Sequence, residues 1–306
     1  MIKLKISIVI ATRNRNELLE KTLVSLSNQT YKKYFEVLVC DDGGNSNTED
    51  ATNKFSKDLN IKYYWCEDQG GYCWAHAKNI GAEKAKADYL LFMDDDILIP
   101  RDGIEKMYQW MTRLPWRKNK YFLNPQSRLY VSYNFPNELI IKDFAKIKEN
   151  HIENYQNGVT LGCTGLISKH IFNKIGGFDE ILFKGLQLGD TDITKRLEGF
   201  LGVLKKTLPI QVYHLDNDAF RDKRNIIAIQ RKNIAKQLIR EKIQMMGFKM
   251  QNLDDMPKQD PDKKKEGFYN NLLSNKDKID KISIILRKRL NLYDNDINYF
   301  TPHIRK

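Results

Sequence analysis

The sequence has few cysteines, no long apolar run and no internal repeat. Four cysteines, Cys40, Cys66, Cys73 and Cys163, stand among 306 residues, and no two form a CxxC pair. A disulfide scaffold and a structural zinc site are thereby disfavoured, and a reducing, cytoplasmic setting is expected. The purely apolar stretches are short, such as Tyr89 to Met93, against the about 20 residues a bilayer-spanning helix requires. The amino terminus reads as a strand at once (KLKISIVIAT), with no n-region, h-region and cleavage site of a secretory signal. With 41% hydrophobic and 29% charged residues, the composition is that of a soluble globular chain, not a disordered or collagen-like one.

Charge is present but uneven. Residues 1–218 hold 30 Lys or Arg and 28 Asp or Glu, whereas residues 219–306 hold 21 and 11. The formal +12 therefore lies almost wholly in the last 88 residues. A near-neutral body with a basic extension suggests a catalytic domain plus an attachment segment rather than a nucleic-acid binder.

The first hundred residues alternate strand and helix patterns. Lys5 to Ala11 is an apolar strand, and Asn16 caps a helix with Leu18, Leu19, Leu23 and Leu26 on one face. Phe35 to Cys40 is a second strand, followed by helix 48–58, strand Ile61 to Cys66, helix 74–87 and strand Asp88 to Met93. This order predicts an α/β fold with a mostly parallel sheet flanked by helices. Ligands then bind at the carboxyl ends of the strands, where the polar clusters fall. From Pro115 to Asn150 the pattern weakens. Ser168 to Ile175 and Asp190 to Phe200 read as helices, and Val203 to Leu215 as a strand. Residues 253–265 look like a linker within a basic helical extension.

Four clusters have the composition of a site. Asp94-Asp95-Asp96 ends an apolar strand; the three adjacent carboxylates read either as a solvated acidic turn or as a site for a counter-cation, with Mg²⁺ or Mn²⁺ the natural choice. Asp41-Asp42-Gly43-Gly44 offers acceptors for a base or ribose, although Asp and Gly also make plain turns. Gly189-Asp190-Thr191-Asp192 opens a helix, where capping and the helix dipole already explain Asp and a general base is the second reading. A lone His such as His214 is more often structural than a ligand, but a mixed carboxylate and imidazole metal site would accommodate it.

Together these residues resemble the family 2 glycosyltransferases of GT-A (Rossmann-like) fold, over about residues 4–218. Ser7 to Arg15 (SIVIATRNR) is similar to the family's opening strand and turn, and Val39 to Gly43 (VCDDG) to its nucleotide-binding Asp-Asp-Gly. Asn79-Ile80-Gly81 with Ala85, Asp88 and Tyr89 resembles the helix before the DxD strand, and Leu91 to Asp96 (LFMDDD) the DxD motif itself. Gly176 to Glu180 (GGFDE), Gly189 to Asp192 and Arg196-Leu197 resemble the acceptor-side motif of galactosyl- and N-acetylgalactosaminyltransferases and of chondroitin-polymerase-type modules.

The resemblance implies a metal-dependent inverting transferase that moves a sugar from a nucleotide-sugar donor, a UDP-sugar by this likeness, to a glycan or lipid-linked glycan. Thr12, Arg13 and Asp42, with Asp41 as second choice, would contact the uracil or ribose. Lys78 and Asn79 would lie near the sugar or diphosphate. Asp94 would touch the ribose and the metal, and Asp96 and His214 would be metal ligands. A count back from Pro100 instead makes Asp95 the ligand; the count from Tyr89, which pairs Asp94 with Asp96, is favoured because loop length varies more than strand length. Asp190 would be the general base. The chain departs from the family pattern at Gly189, where Glu is usual, at Leu186, where Trp is often found, and at Arg13, where Tyr is common. The division implied is 1–218 as the transferase domain, with 1–100 on the nucleotide-sugar side and 101–218 on the acceptor side, and 219–306 as the extension. Residues 277–292 mix Ile and Leu with Lys and Arg. They would either meet an anionic inner-membrane surface or dock on the body. The competing readings are a non-catalytic binder of the same fold and a nucleotidyltransferase. The second lacks a glycine in Thr12 to Glu17. No nucleic-acid partner is expected.

Overall fold

Ile6–Thr12 forms β1, a strand buried along its whole length. Asn16–Ser27 forms α1, with Arg15 rather than Asn16 at the cap position. The Asn16 side chain instead accepts a hydrogen bond from the Thr48 hydroxyl at 3.1 Å. Then come β2 (Phe35–Asp42), α2 (Thr48–Asn53), β3 (Ile61–Cys66), α3 (Trp74–Lys84), β4 (Tyr89–Asp94), the two-residue β5 (Ile97–Leu98) and α4 (Gly103–Thr112). The chain is seen here in a computed structural model that describes residues 3–44, 47–132, 152–157, 159–184, 189–216, 236–246 and 276–289. Leu186 and the linker at 253–265 lie outside the described residues.

The expected helices at 48–58 and 74–87 end earlier, at Asn53 and Lys84. In the second half, α5 (Arg117–Lys120), β6 (Tyr121–Ser132), β7 (Ile152–Asn157), α6 (Leu161–Thr164), β8 (Gly165–Ser168), α7 (Lys169–Lys174), α8 (Gly189–Leu201) and β9 (Leu204–Asp216) follow. A helix at 236–245 (α9) and α10 (Lys276–Arg289) belong to the basic extension. The weakly patterned stretch after Pro115 thus contributes a 12-residue strand, β6.

The sheet runs β3-β2-β1-β4-β8-β6-β9-β5, with β7 beside β6. The first four strands are parallel, β8 is antiparallel to β4, and β6 and β9 run parallel to each other. All the carboxyl ends of β1 to β4 therefore meet at one edge. Side chains alternate across β1: Ile6, Ile8 and Ile10 join Leu19, Leu23 and Leu26 of α1 and Ile104 and Met107 of α4. Val9 and Ala11 join Ala77 and Ala82 of α3 on the other face. Each fully buried Ile or Leu stabilises by about 1.5–3 kcal/mol. At Gly81 a Cβ would sit 2.4 Å from Val9 Cγ1 and 2.8 Å from Cys40 Sγ. Only glycine lets α3 lie this close to β1 and β2.

The two extension helices share this core through Leu238, Ile239, Ile243, Ile282 and Leu286. They are held by buried ions as well. Lys242 Nζ lies 2.6 Å from Asp179 Oδ2 and 3.0 Å from Asp192 Oδ1, and the Ser283 hydroxyl donates to Asp179 at 2.6 Å. Arg196 donates to Asp192 and to the carbonyls of Ile175 and Gly177, each at 2.8 Å. Two cations and two carboxylates satisfy one another, and that balance makes their burial tolerable. Among the described residues no helix is long and apolar enough to cross a membrane.

Candidate active site

The carboxyl edge gathers most of the candidate residues, and the geometry separates neighbours that the sequence left equivalent. On β2, Asp41 is used by its own turn: Oδ1 accepts from the Gly44 amide at 2.8 Å and Oδ2 from the Tyr63 hydroxyl at 3.3 Å. Asp42 points to the other face. Its Oδ2 accepts from the Cys73 amide at 2.6 Å, while Oδ1 is buried with no donor. Burial raises the Asp42 carboxyl to about 7, although the Cys73 amide and Arg13 pull it down. A buried acceptor without a donor costs free energy, and a ligand N–H or O–H would satisfy it. Arg13 bends over this position. It donates to the Asp42 carbonyl and makes a two-pronged contact with Asp68, both bonds 3.1 Å.

The Asp triplet divides in the same way. Asp95 turns inward: its carboxylate accepts from Thr12 Oγ1 at 2.6 Å and meets Arg15 Nη1 at 2.8 Å. The Thr12 hydroxyl is thus committed to Asp95 rather than presented to a ligand. Burial raises Asp95 to about 6 against the pull of Arg15. Asp96 accepts from Arg15 Nη2 at 2.6 Å, and its Oδ1 lies 3.4 Å from His214 Nε2. Burial pushes Asp96 up, but His214 and Arg15 outweigh it and hold the carboxyl below its usual range. The juxtaposition with His214 comes from β5, which pairs Ile97 with His214 across the sheet. Asp94, 38% exposed at its side chain, receives Lys78 Nζ at 2.6 Å.

Lys78 is a hub. It is buried on α3 and also donates to the Gly162 carbonyl at 2.8 Å. The Gly162 amide donates in turn to Asp190 Oδ1 at 2.8 Å, and Thr160 Oγ1 donates to Asp190 Oδ2 at 3.0 Å. A Cβ at position 162 would lie 1.9 Å from Asp190 Oδ1, so this amide reaches the carboxylate because the residue is glycine. Burial raises the Asp190 carboxyl, and Lys78 opposes it. Burial would strip the Lys78 proton, but Asp94 and Asp190 outweigh it and keep the amine charged.

Asn79 does not join this network. Its amide pins the Phe178 backbone from both sides, accepting at 3.0 Å and donating at 2.9 Å, and reaches Glu180 at 3.3 Å. Glu180 also meets His76 Nδ1 at 2.9 Å. Arg15, Asp68, Thr160 and this His76–Glu180 pair are functional candidates that only the fold brings out. Arg15 sits inside the SIVIATRNR turn and Glu180 inside GGFDE, and Asp68 precedes a Gly-Gly pair whose turn marks a loop at the sheet edge.

As they stand, no three His, Cys, Asp or Glu among the described residues form a ligand set. The donors nevertheless fit a hard divalent cation. Asp96 Oδ1 and His214 Nδ1 are buried without hydrogen-bond partners; carboxylate oxygen suits Mg²⁺ or Mn²⁺, and the imidazole beside it makes a mixed site.

The model of the family described as glycosyl transferase family 2 matches residues 7–176. The chondroitin synthase of Escherichia coli is 40% identical over 92 residues, 30% of this chain and 13% of that protein. The matched region spans between 20% and 34% of the length of four further curated relatives. Among solved structures, the mannosyltransferase PcManGT of Pyrobaculum calidifontis in complex with GDP-Man and Mn²⁺ has a TM-score of 0.54 at 14% identity, covering 95% of this chain and 76% of that one. S. aureus TarS 1–349 in complex with UDP-GlcNAc has 0.53 at 16% identity, covering 99% and 76%. These two likenesses establish the shared GT-A fold.

Proposed function

The chain belongs to glycosyl transferase family 2, and from that premise we propose that it transfers a sugar, with inversion, from a UDP-sugar to a hydroxyl of a glycan or lipid-linked glycan. The observation that carries this reading is the bonded path Asp94–Lys78–Gly162–Asp190, which sets a half-buried carboxylate beside the strand-end acids.

Asp42 Oδ1 accepts from the nucleobase or ribose, and Arg13 closes over the same position. Lys78 supplies fixed positive charge near the diphosphate. Asp94 faces the ribose. Asp94, Asp96 and His214 would hold the divalent cation, which when bound neutralises charge on the departing diphosphate. The inward turn of Asp95 supports the pairing of Asp94 with Asp96. Asp190 takes the proton of the acceptor hydroxyl while that oxygen bonds to the anomeric carbon. The bond from that carbon to the diphosphate oxygen breaks, and its electron pair leaves with the nucleotide. A single base and in-line attack invert the centre. A raised Asp190 pKa makes a stronger base at neutral pH.

The neighbours' printed ligands, GDP-Man with Mn²⁺ and UDP-GlcNAc, support a nucleotide-sugar donor and a cation. The test is a panel of UDP-, GDP- and dTDP-sugars with Mn²⁺, following nucleotide release with Asp96→Ala and Asp190→Ala alongside. Cation-dependent release from one UDP-sugar, lost in Asp96→Ala, is expected. Full transfer by Asp190→Ala would remove the base assignment. Turnover of no donor, with nucleotide still bound, would favour the non-catalytic binder.

A further inference from the structure

The near-neutral body is strongly polarised. Parallel pairing sets Ile6, Phe35, Ile61 and Tyr89 at one edge of the sheet. The antiparallel β8 and the β6–β9 pair bring Ser168, Tyr121 and Leu204 to that same edge. The chain segments that meet it are 3–5, 32–34, 57–62, 83–88, 113–120, 169–170 and 205–206. They carry fifteen Lys or Arg against three Asp or Glu. The catalytic carboxylates gather at the opposite edge.

This basic edge also bears aromatic rings. Tyr34, Tyr31, Tyr108 and Tyr89 form a chain of ring contacts with centroids 4.6, 5.4 and 5.6 Å apart. Trp110 and Trp116 flank Tyr121 at 5.6 and 6.1 Å. Arg117 lies 4.0 Å over Trp110, and Lys120 lies 5.6 Å from the Trp116 centroid. Tyr34 (39%), Leu114 (36%) and Trp116 (47%) are exposed. Between the two aromatic groups a cleft of about 600 Å³ is lined by Lys86, Lys118, Lys169 and His170, with Asp88 its one acid. Contact with the Lys86 ammonium lowers the pKa of Lys62, so like charges crowd here.

Exposed Trp, Tyr and Leu set among Lys and Arg is the composition of a surface that rests in a headgroup layer. Stacking on nucleobases fits less well, because most of the rings are engaged with one another. α10 buries Ile282 and Leu286 against the body but leaves Ile284 and Ile285 exposed, and it carries no aromatic ring. We propose that the amino edge of the sheet docks on an anionic bilayer surface. Trp116 and Leu114 enter the headgroup layer, and the Lys86–Lys118 cleft takes a headgroup phosphate. The active edge then faces away from the bilayer, about 20 Å off, the length of the six-residue β4.

The test is co-sedimentation of the full chain at low ionic strength. Vesicles of phosphatidylcholine with phosphatidylglycerol are compared with vesicles of phosphatidylcholine alone. Binding to the anionic vesicles only is expected. At about fivefold per cation near the surface, the pair Lys118→Glu and Lys120→Glu lowers partitioning by roughly 25-fold or more. Trp116→Ala lowers it with no charge change, and both variants keep the cooperative melting of the parent. No binding to anionic vesicles overturns the proposal. So does unchanged partitioning of both variants, which moves the contact to residues 219–306. Capture of a single-stranded oligonucleotide through Lys118 and Lys120 without vesicle binding also overturns it.

Discussion

Replacing Asp42 by Asn should stabilise the free protein and abolish nucleotide binding together. The Asp42 carboxyl is fully buried, and its pKa rises from 3.8 to about 7 on folding, chiefly through burial. A shift of about 3 units corresponds to about 4 kcal/mol. An acid with a raised folded pKa makes the native state bind the extra proton. Stability is therefore highest below the unfolded value and falls as pH rises from 3.8 towards about 7. The side-chain amide of the Asp42→Asn variant keeps an acceptor for the Cys73 amide, which lies 2.6 Å from the carboxylate in the parent, and carries no charge. Urea unfolding of both proteins across this range should show a gap that is near zero at about pH 4 and approaches about 4 kcal/mol at about pH 8. A gap independent of pH would refute the reasoning, since a lost contact has no such slope. In the same variant an amide N–H replaces the acceptor offered to the ligand, so the melting shift produced by UDP should vanish. A retained shift would move the nucleotide elsewhere.

Asp190→Asn should lower kcat by about 10²- to 10⁴-fold with little change in KM. In the parent the acid limb of kcat/KM should lie above the ordinary Asp value because burial raises Asp190; a limb at or below that value would count against it as the base. Gly162→Ala drives a methyl into Asp190 Oδ1 and should cut kcat while nucleotide binding, measured by calorimetry, stays intact. Lys242→Met leaves Asp179 and Asp192 buried without their shared cation and should cost about 3–5 kcal/mol in urea unfolding. Asp179 is held below its usual range because Lys242 and Ser283 outweigh its burial. Its contribution is thus present above the unfolded pKa and lost as pH falls through the lowered one. The variant should lose that part of the acid dependence.

The sequence by itself determined the strands that reach the site and the acids at their ends. Ile6–Thr12, Phe35–Asp42 and Tyr89–Asp94 are short apolar runs buried on both faces, and such runs in alternation with helices admit few arrangements other than a parallel sheet. β6 and β8 stayed hidden, because a strand such as Tyr121–Ser132 that carries Asn124, Ser127 and Arg128 has no clean apolar period. Only the tertiary structure decided which of two adjacent acids is free. Successive side chains at a strand end point to opposite faces, so Asp41 meets Tyr63 while Asp42 meets the Cys73 amide. The partners lie 22 and 31 residues away. The same holds for Asp96 beside His214, for Lys242 buried against Asp179 and Asp192, and for the lysines lined up along one edge. Each depends on residues distant in the chain that pairing and packing bring within a few ångströms.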